Sequence, residues 1–342
     1  MKQQIKYFVG IDVGSEEFTA TVFQKPDKPM VTSNSIENTI EGFATFNTWL
    51  KGQGVATSNC IICMEATGVY GESLVHYLIA KDFTVAVEPP LKVKRAFDTS
   101  GHKNDAVDSA QIAEYAYRFK DELRVSSPRP ESVEKLKHSL TAREQLVKHS
   151  VATQNSIKAY KRHVVQDSKV LEIHQQTLSH LKEQIAAIDA HIKQIIKRDP
   201  SLHQLSQFLV SLCGVGILLA AYLLVTSNAF QDITTYKQMA AFLGLCPYEF
   251  KSGKSIFKKS HSRHYGPRYT RKLLHLAARS VATHNPYFNK YYLRKLEEGK
   301  DKQLAINNIA NKLLKIGFAL VKNKQCYIKN YRSVNPMLLK NS

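Results

Sequence analysis

The sequence predicts three successive parts: an α/β domain over 1–127, a helical connector over 128–200, and a mostly α-helical domain over 201–342. Three observations carry that expectation. Up to Phe119, short apolar runs of strand length alternate with amphipathic stretches of helical period. From Ser132 to Arg198 neither proline nor glycine interrupts a helical pattern. Beyond Pro200, apolar helical stretches are interspersed with dense Lys and Arg. At 342 residues the chain exceeds one ordinary core.

Residues 7–24 read as a β-hairpin. Tyr7 to Asp12 is an apolar strand, Gly14-Ser15-Glu16-Glu17 supplies the turn, and Phe18, Ala20 and Val22 alternate with Thr19 and Thr21. Residues 38–51 form an amphipathic helix carrying Phe43, Phe46 and Leu50. Ile61-Ile62-Cys63-Met64-Glu65 is continuously apolar until its final acid, as a central parallel strand would be. Leu74, Val75, Leu78 and Ile79 mark a helix, and Thr84 to Val87 a strand that Pro89 and Pro90 close. A helix from Asp105 to Phe119 completes the domain.

Pro128 and Pro130 mark the next boundary. In the connector, Leu178, Leu181, Ile185, Ile188, Ile192 and Ile195 recur at alternating spacings of three and four, the seam of a coiled coil. A self-packed helical hairpin and a coiled coil between protomers both satisfy that pattern. The apolar run from Phe208 to Val225 holds no charge and reaches the lower length limit of about 18 residues for crossing a bilayer. Gly214 and Gly216 in its middle favour two short helices meeting at a turn, and no membrane is expected.

Lys and Arg total 48 against 29 Asp and Glu, a net charge of +19. So large a surplus points to a polyanionic partner, DNA or RNA, whose counterions are released on binding. The 5 cysteines are odd in number and lie in apolar segments, which excludes a disulfide framework and reads as reduced thiols in the cytoplasm. Cys60 and Cys63 form a C-x-x-C inside a strand without a second pair, so core packing is the expectation there. The first residues lack a signal-peptide pattern.

Four acids stand where strands end or a helix begins: Asp12 after the first strand, Glu65 at the end of the central strand, and Asp105 and Asp108 three apart in a helix's first turn. Each alone has a structural explanation, a turn Asp or a carboxylate complementing the helix dipole. Converging, they would repel unless cations held them. They form a site for Mg2+, with Mn2+ a substitute, in which two ions about 4 Å apart stabilise the entering and leaving oxygens of phosphoryl transfer.

Gly10-Ile11-Asp12, Met64 to Tyr70 (M-E-A-T-G-V-Y) and Lys103 to Ala113 (K-N-D-A-V-D-S-A-Q-I-A) resemble the D, E and D-x-x-D blocks of the DEDD transposases. That family comprises the Piv/MooV invertases and IS110-type insertion-sequence transposases. The resemblance implies a RuvC-like front domain of RNase H fold, with Asp12, Glu65, Asp105 and Asp108 as metal ligands. Two positions depart: Gly14-Ser15-Glu16 stands where members often carry Lys, and Asn104 where they often carry Thr. Neither touches a candidate ligand.

In the rear part, Leu212-Cys213-Gly214-Val215-Gly216 resembles a helix-hairpin-helix turn, whose backbone N–H groups face a DNA phosphate. Gly244-Leu245-Cys246-Pro247, Ser252-Gly253 and the stretch from His261 to Lys272 resemble the rear signature of the same family, with Gly266 and Arg271 at matching positions. By resemblance Ser252 is the nucleophile; Ser255 and Ser260 are neighbours without that match. Lys251, Lys254, Lys258, Lys259, Arg263, Arg268, Arg271 and Lys272 surround it with positive charge, and Phe250, Phe257, Tyr265 and Tyr269 are interleaved to stack on bases or to pack a small core.

The resemblance implies cutting and rejoining of mobile-element DNA, a non-coding guide RNA, and a homo-oligomer, dimer or tetramer. Three rivals remain in the sequence: a RuvC-type Mg2+-dependent endonuclease that leaves free ends, a site-specific invertase, and a nucleic-acid-binding protein without catalysis.

Overall fold

The computed structural model describes residues 5–24, 29–97, 104–126, 129–252, 256–262 and 266–329, with the backbone alone for 248–252 and 256–261. The chain divides into two compact units, 1–128 and 129–342.

The front unit runs β1 (Tyr7–Val13), β2 (Glu17–Phe23), β3 (Val31–Thr32), β4 (Ile36–Glu37), α1 (Ile40–Gly52), β5 (Cys60–Glu65), α2 (Glu72–Ala80), β6 (Val85–Glu88), α3 (Pro90–Lys94) and α4 (Asp105–Arg118). The sheet order is β3-β2-β1-β5-β6, with β4 also on β2. β1 and β2 are antiparallel, whereas β5 runs parallel to both β1 and β6. Side-chain alternation gives the sheet two apolar faces. Val9, Ile11, Ile62 and Met64 pack with Phe43, Phe46 and Leu50 of α1 and Leu74 and Leu78 of α2. Phe8, Cys63 and Ala86 pack with Ile112, Ala113 and Tyr115 of α4. Helices on both faces are why β5 is apolar at every position before Glu65.

Pro90 differs from its expected role. It opens α3 instead of only closing the strand, because the first position of a helix needs no N–H.

The rear unit runs α5 (Glu131–Tyr160), α6 (Ser168–Arg198), α7 (Pro200–Val210), α8 (Ile217–Thr226), α9 (Tyr236–Phe242), β7 (Pro247–Ser252), β8 (Ile256–Ser262), α10 (Arg268–His284), α11 (Pro286–Glu297) and α12 (Lys302–Asn323). The helical stretch expected from Ser132 to Arg198 is made of two helices. Asp167 caps α6 by accepting from Lys169 N at 2.8 Å, and its own N–H donates to the Tyr160 hydroxyl at 2.8 Å. An N-cap aspartate starts a helix as firmly as proline ends one.

α5 and α6 fold back on each other as an antiparallel hairpin. Ser132 donates to Asp199 at 2.5 Å near one end, and Arg143 Nε donates to Asp189 at 2.5 Å further along. Ile192 and Ile195 of the seam join the core with Val133, Leu136 and Leu140, whereas Leu178, Leu181 and Ile185 stay half-buried.

The apolar run at Phe208 resolves into α7 and α8, of 11 and 10 residues, joined at Gly214 with φ +82. Each is too short to span a bilayer of about 30 Å. Among the described residues α12 alone has the length and hydropathy to cross a membrane. Its Ile309, Leu313 and Leu314 are buried in the helical core.

β7 and β8 form a two-stranded ribbon inside the part expected to be mostly helical. The alternation Tyr248, Phe250 and then Ile256 around Ser-Gly is a hairpin pattern, masked in the sequence by the lysines between.

Candidate active site: a carboxylate centre and a serine ribbon

In the front unit, Phe8, Cys63 and Ala86 face α4, so Asp12, Glu65 and Glu88, at even spacing from them, face it too. Ile11 is paired with Met64, which puts Asp12 and Glu65 level on adjacent parallel strands, and Glu65 is paired with Glu88. Asp105 and Asp108 approach from the first turn of α4. Burial first, then the charges of Asp108 and Asp105, hold the Asp12 carboxyl above the ordinary carboxylate range. Asp12 and Asp108 are half-buried and Asp105 is exposed. The structure therefore brings Asp105 and Asp108 close enough to act on the charge of Asp12 and sets Glu65 beside Asp12 on the same face.

α4 can lie this close because of Gly10. A Cβ there would stand 2.2 Å from both Ala113 N and Ser109 O. Buried Ser109 shares a 2.8 Å hydrogen bond with Thr21 of β2, which ties the same helix to the hairpin. Asn104, one of the two departures from the family pattern, caps α4 by accepting from Val107 N at 2.8 Å, a role that Thr also fills.

Two further residues at this end had no signal in the sequence. Asn38 donates to Gly14 O at 3.1 Å and to Tyr70 O at 2.9 Å, bridging the turn after Asp12 to the loop after Glu65. Glu88, 2% exposed, is a fifth acid but is held by Lys92 at 3.1 Å. An Asx residue near a turn and an acid before two prolines are too common to single out. Cys60 and Cys63 are buried on opposite faces of β5, and burial pushes both thiols up to about 12, so they pack the core as inert thiols.

In the rear unit, Ser252 ends β7, paired with Ile256 across the ribbon. The ribbon's foot is the segment between α9 and β7. α9 ends in a left-handed Gly244, φ +67, with Leu245 N donating back to Ala240 O at 2.9 Å. Arg271 donates to Leu243 O at 2.9 Å, and Asn307 of α12 donates to Leu245 O at 3.0 Å. Gly266 lies so close that a Cβ would meet Phe242 O at 1.8 Å. Gly266 and Arg271, the matching positions of the rear signature, both anchor this foot.

The candidate cations are placed unequally. Arg268 and Lys272 are exposed on the first turns of α10, and Arg271 is half-buried on its carbonyl partner. Lys251, Lys258 and Lys259 lie on the ribbon's backbone, whereas Lys254, Arg263 and the decoy Ser255 fall outside the described residues. Tyr269 packs a core: its ring lies tilted against Tyr222, centroids 5.1 Å apart, and its hydroxyl accepts from Arg143 at 3.2 Å. Gly214 and Gly216 are exposed in the α7–α8 turn; Gly214 abuts Val281 and Ala277 of α10, and Gly216 opens α8 without a side-chain cap.

Comparison with known proteins matches both units. A DEDD transposase model of the IS110 type covers residues 9–166, and a model described as transposase of the IS116/IS110/IS902 family covers residues 206–293. The pilin gene-inverting protein of Moraxella lacunata is 27% identical over 336 residues, spanning 95% of this chain and 98% of the relative. That of Moraxella bovis is 27% identical over 331 residues, with the same coverage of 95% and 98%. An uncharacterized protein of insertion element IS110 from Streptomyces coelicolor is 30% identical over 151 residues, 44% of this chain and 36% of that protein.

Proposed function

For a chain that belongs to the family of IS110-type transposases and pilin gene-inverting proteins, we propose a DNA recombinase that cuts and rejoins strands with four carboxylates and a serine. The activity class, DNA transposase or recombinase, comes with the family. The observation that carries the finer mechanism is the Asp12 carboxyl, held up by burial and by Asp108 and Asp105. Such a cluster repels itself, and its donors are the hard oxygens that Mg2+ prefers, with Mn2+ the substitute. Bound there, divalent cations would neutralise charge developing on a phosphodiester. Asp12, Glu65, Asp105 and Asp108 hold that charge in place on strand ends and a helix start of a RuvC-like fold.

Ser252 is the proposed nucleophile. Its hydroxyl oxygen bonds to the DNA phosphorus and releases its proton, while the displaced strand oxygen leaves and gains one. The phosphoserine link conserves the bond for rejoining. Arg268, Lys272 and the lysines of the ribbon hold the phosphate backbone, and the Gly214–Gly216 turn offers its N–H groups to another phosphate. The half-buried outer seam of α6 serves as the contact of a homo-oligomeric coiled coil, and a non-coding RNA guides the choice of DNA in the cytoplasm.

The end-to-end match to inverting proteins, against a partial match to insertion elements, favours inversion over transposition as the outcome. The test supplies the purified chain, its co-purified RNA and Mg2+ to a plasmid carrying the flanks of its element. New junctions in the plasmid support a recombinase. Free ends alone, with no junctions, would make the chain a RuvC-type hydrolase.

A further inference from the structure

Three cations crowd one aromatic ring where α11 meets α12. Lys312 Nζ lies 4.1 Å from the Tyr291 ring centroid, the Arg294 guanidinium 5.4 Å, and Lys295 Nζ 5.8 Å. One turn along α12, Lys315 Nζ lies 6.0 Å from the ring of Tyr236 in α9. The carboxylate that serves this group is Glu298, 2.5 Å from Lys295 and 3.6 Å from Arg294. Lys312 and Lys315 have no ion pair among the described residues.

Like charges gathered this way repel, and Lys312 is half-buried besides. Burial first, then Arg294, Lys315 and Lys295, push its ammonium below the usual lysine range. The rings of Tyr291 and Tyr236 compensate part of that cost and hold the side chains in place before any ligand arrives. A small anion would meet one or two of these groups, whereas a polyanion can engage cations presented by two neighbouring helices.

We infer that Arg294, Lys295, Lys312 and Lys315 form a second phosphate-contact surface, which grips a nucleic-acid backbone without reading its sequence. It is separate in the sequence from the serine ribbon, and its four cations lie beyond residue 293, where the rear family match ends. The inference rests on the nucleic-acid partner proposed above and adds a place of contact to it.

The test measures affinity of the full chain for a short duplex DNA of arbitrary sequence, and for a single-stranded RNA, across a salt series. Neutralising two contacts in the Lys312→Gln, Lys315→Gln double variant should make the slope of log affinity against log salt shallower by about 1.8 on duplex DNA or about 1.4 on RNA. The nucleic acid that shows the change is the one this surface holds. Lys312→Arg with Lys315→Arg should restore the parental slope. Should the double variant lose its fold, exposed Lys315→Gln alone should still remove about 0.9 on DNA. A foldable variant that keeps the parental slope on both nucleic acids overturns the surface. A parent with no salt dependence on either overturns the nucleic-acid partner itself, a distinct failure.

Discussion

The two candidate centres are built in opposite ways. The carboxylates stand on adjacent parallel strands and on a helix pressed against them through Gly10, so their positions follow from a sheet buried on both faces. Ser252 stands at the end of a ribbon whose strands pair only with each other among the described residues. An isolated two-stranded hairpin is marginally stable, so its placement depends on its foot. Arg271, Asn307 and Gly266 supply that hold. The proposed metal site is held by rigid core, whereas the proposed nucleophile stands on a ribbon clamped at one end.

The largest expected effect breaks the front centre chemically. Asp12→Asn or Glu65→Gln should lower DNA cleavage by roughly a thousandfold or more, several kcal/mol of transition-state stabilisation, with nucleic-acid affinity retained. Cleavage at the parental rate by both variants would remove the carboxylates from the chemistry.

Next comes the packing that sets α4. Gly10→Ala should cost about 3 kcal/mol in a denaturant melt, because the new methyl meets backbone atoms that cannot rotate away. Arg271→Ala should cost about 1.5 kcal/mol by the same measurement, the value of a charged donor lost from a carbonyl. It should also lower strand joining while leaving metal binding by the front centre unchanged, which separates foot from carboxylates.

A further pair of effects is linked to protons and to the metal. Asp12 holds its proton more tightly in the folded chain than at its unfolded value of 3.8, so the folded state binds more protons. The contribution of Asp12 to the stability of the metal-free chain should be fully present below that value and be lost as pH rises through the raised folded value. Asp12→Asn should flatten this loss in chelator. Mg2+ at a hundredfold excess over its dissociation constant should stabilise the parent by about 2.7 kcal/mol and leave Asp12→Asn nearly unmoved.

What was legible in the sequence follows the same division. An acid closing an apolar strand is conspicuous, so Asp12 and Glu65 stood out, and the i, i+3 pair on α4 with them. The strand order needed pairing information that hydrophobic alternation does not carry. Asn38 and Glu88 were silent because their roles depend on contacts distant in sequence: Asn38 with Gly14 and Tyr70, Glu88 with Glu65 and with the Arg124 N–H at 3.4 Å. In the rear unit, lysines hid the ribbon's alternation. Arg271, expected on a phosphate, donates to a carbonyl that only the folded chain brings near.

One measurement bears most directly on whether both centres serve one reaction. End-labelled DNA is incubated with the parent chain, its RNA and Mg2+, then run on an SDS gel. The account predicts a covalent protein–DNA band for the parent and for Ser255→Ala, absent in Ser252→Ala and in Asp12→Asn. An undiminished band from Ser252→Ala would contradict the assigned nucleophile, and cleavage by the parent without any band would contradict the serine mechanism altogether.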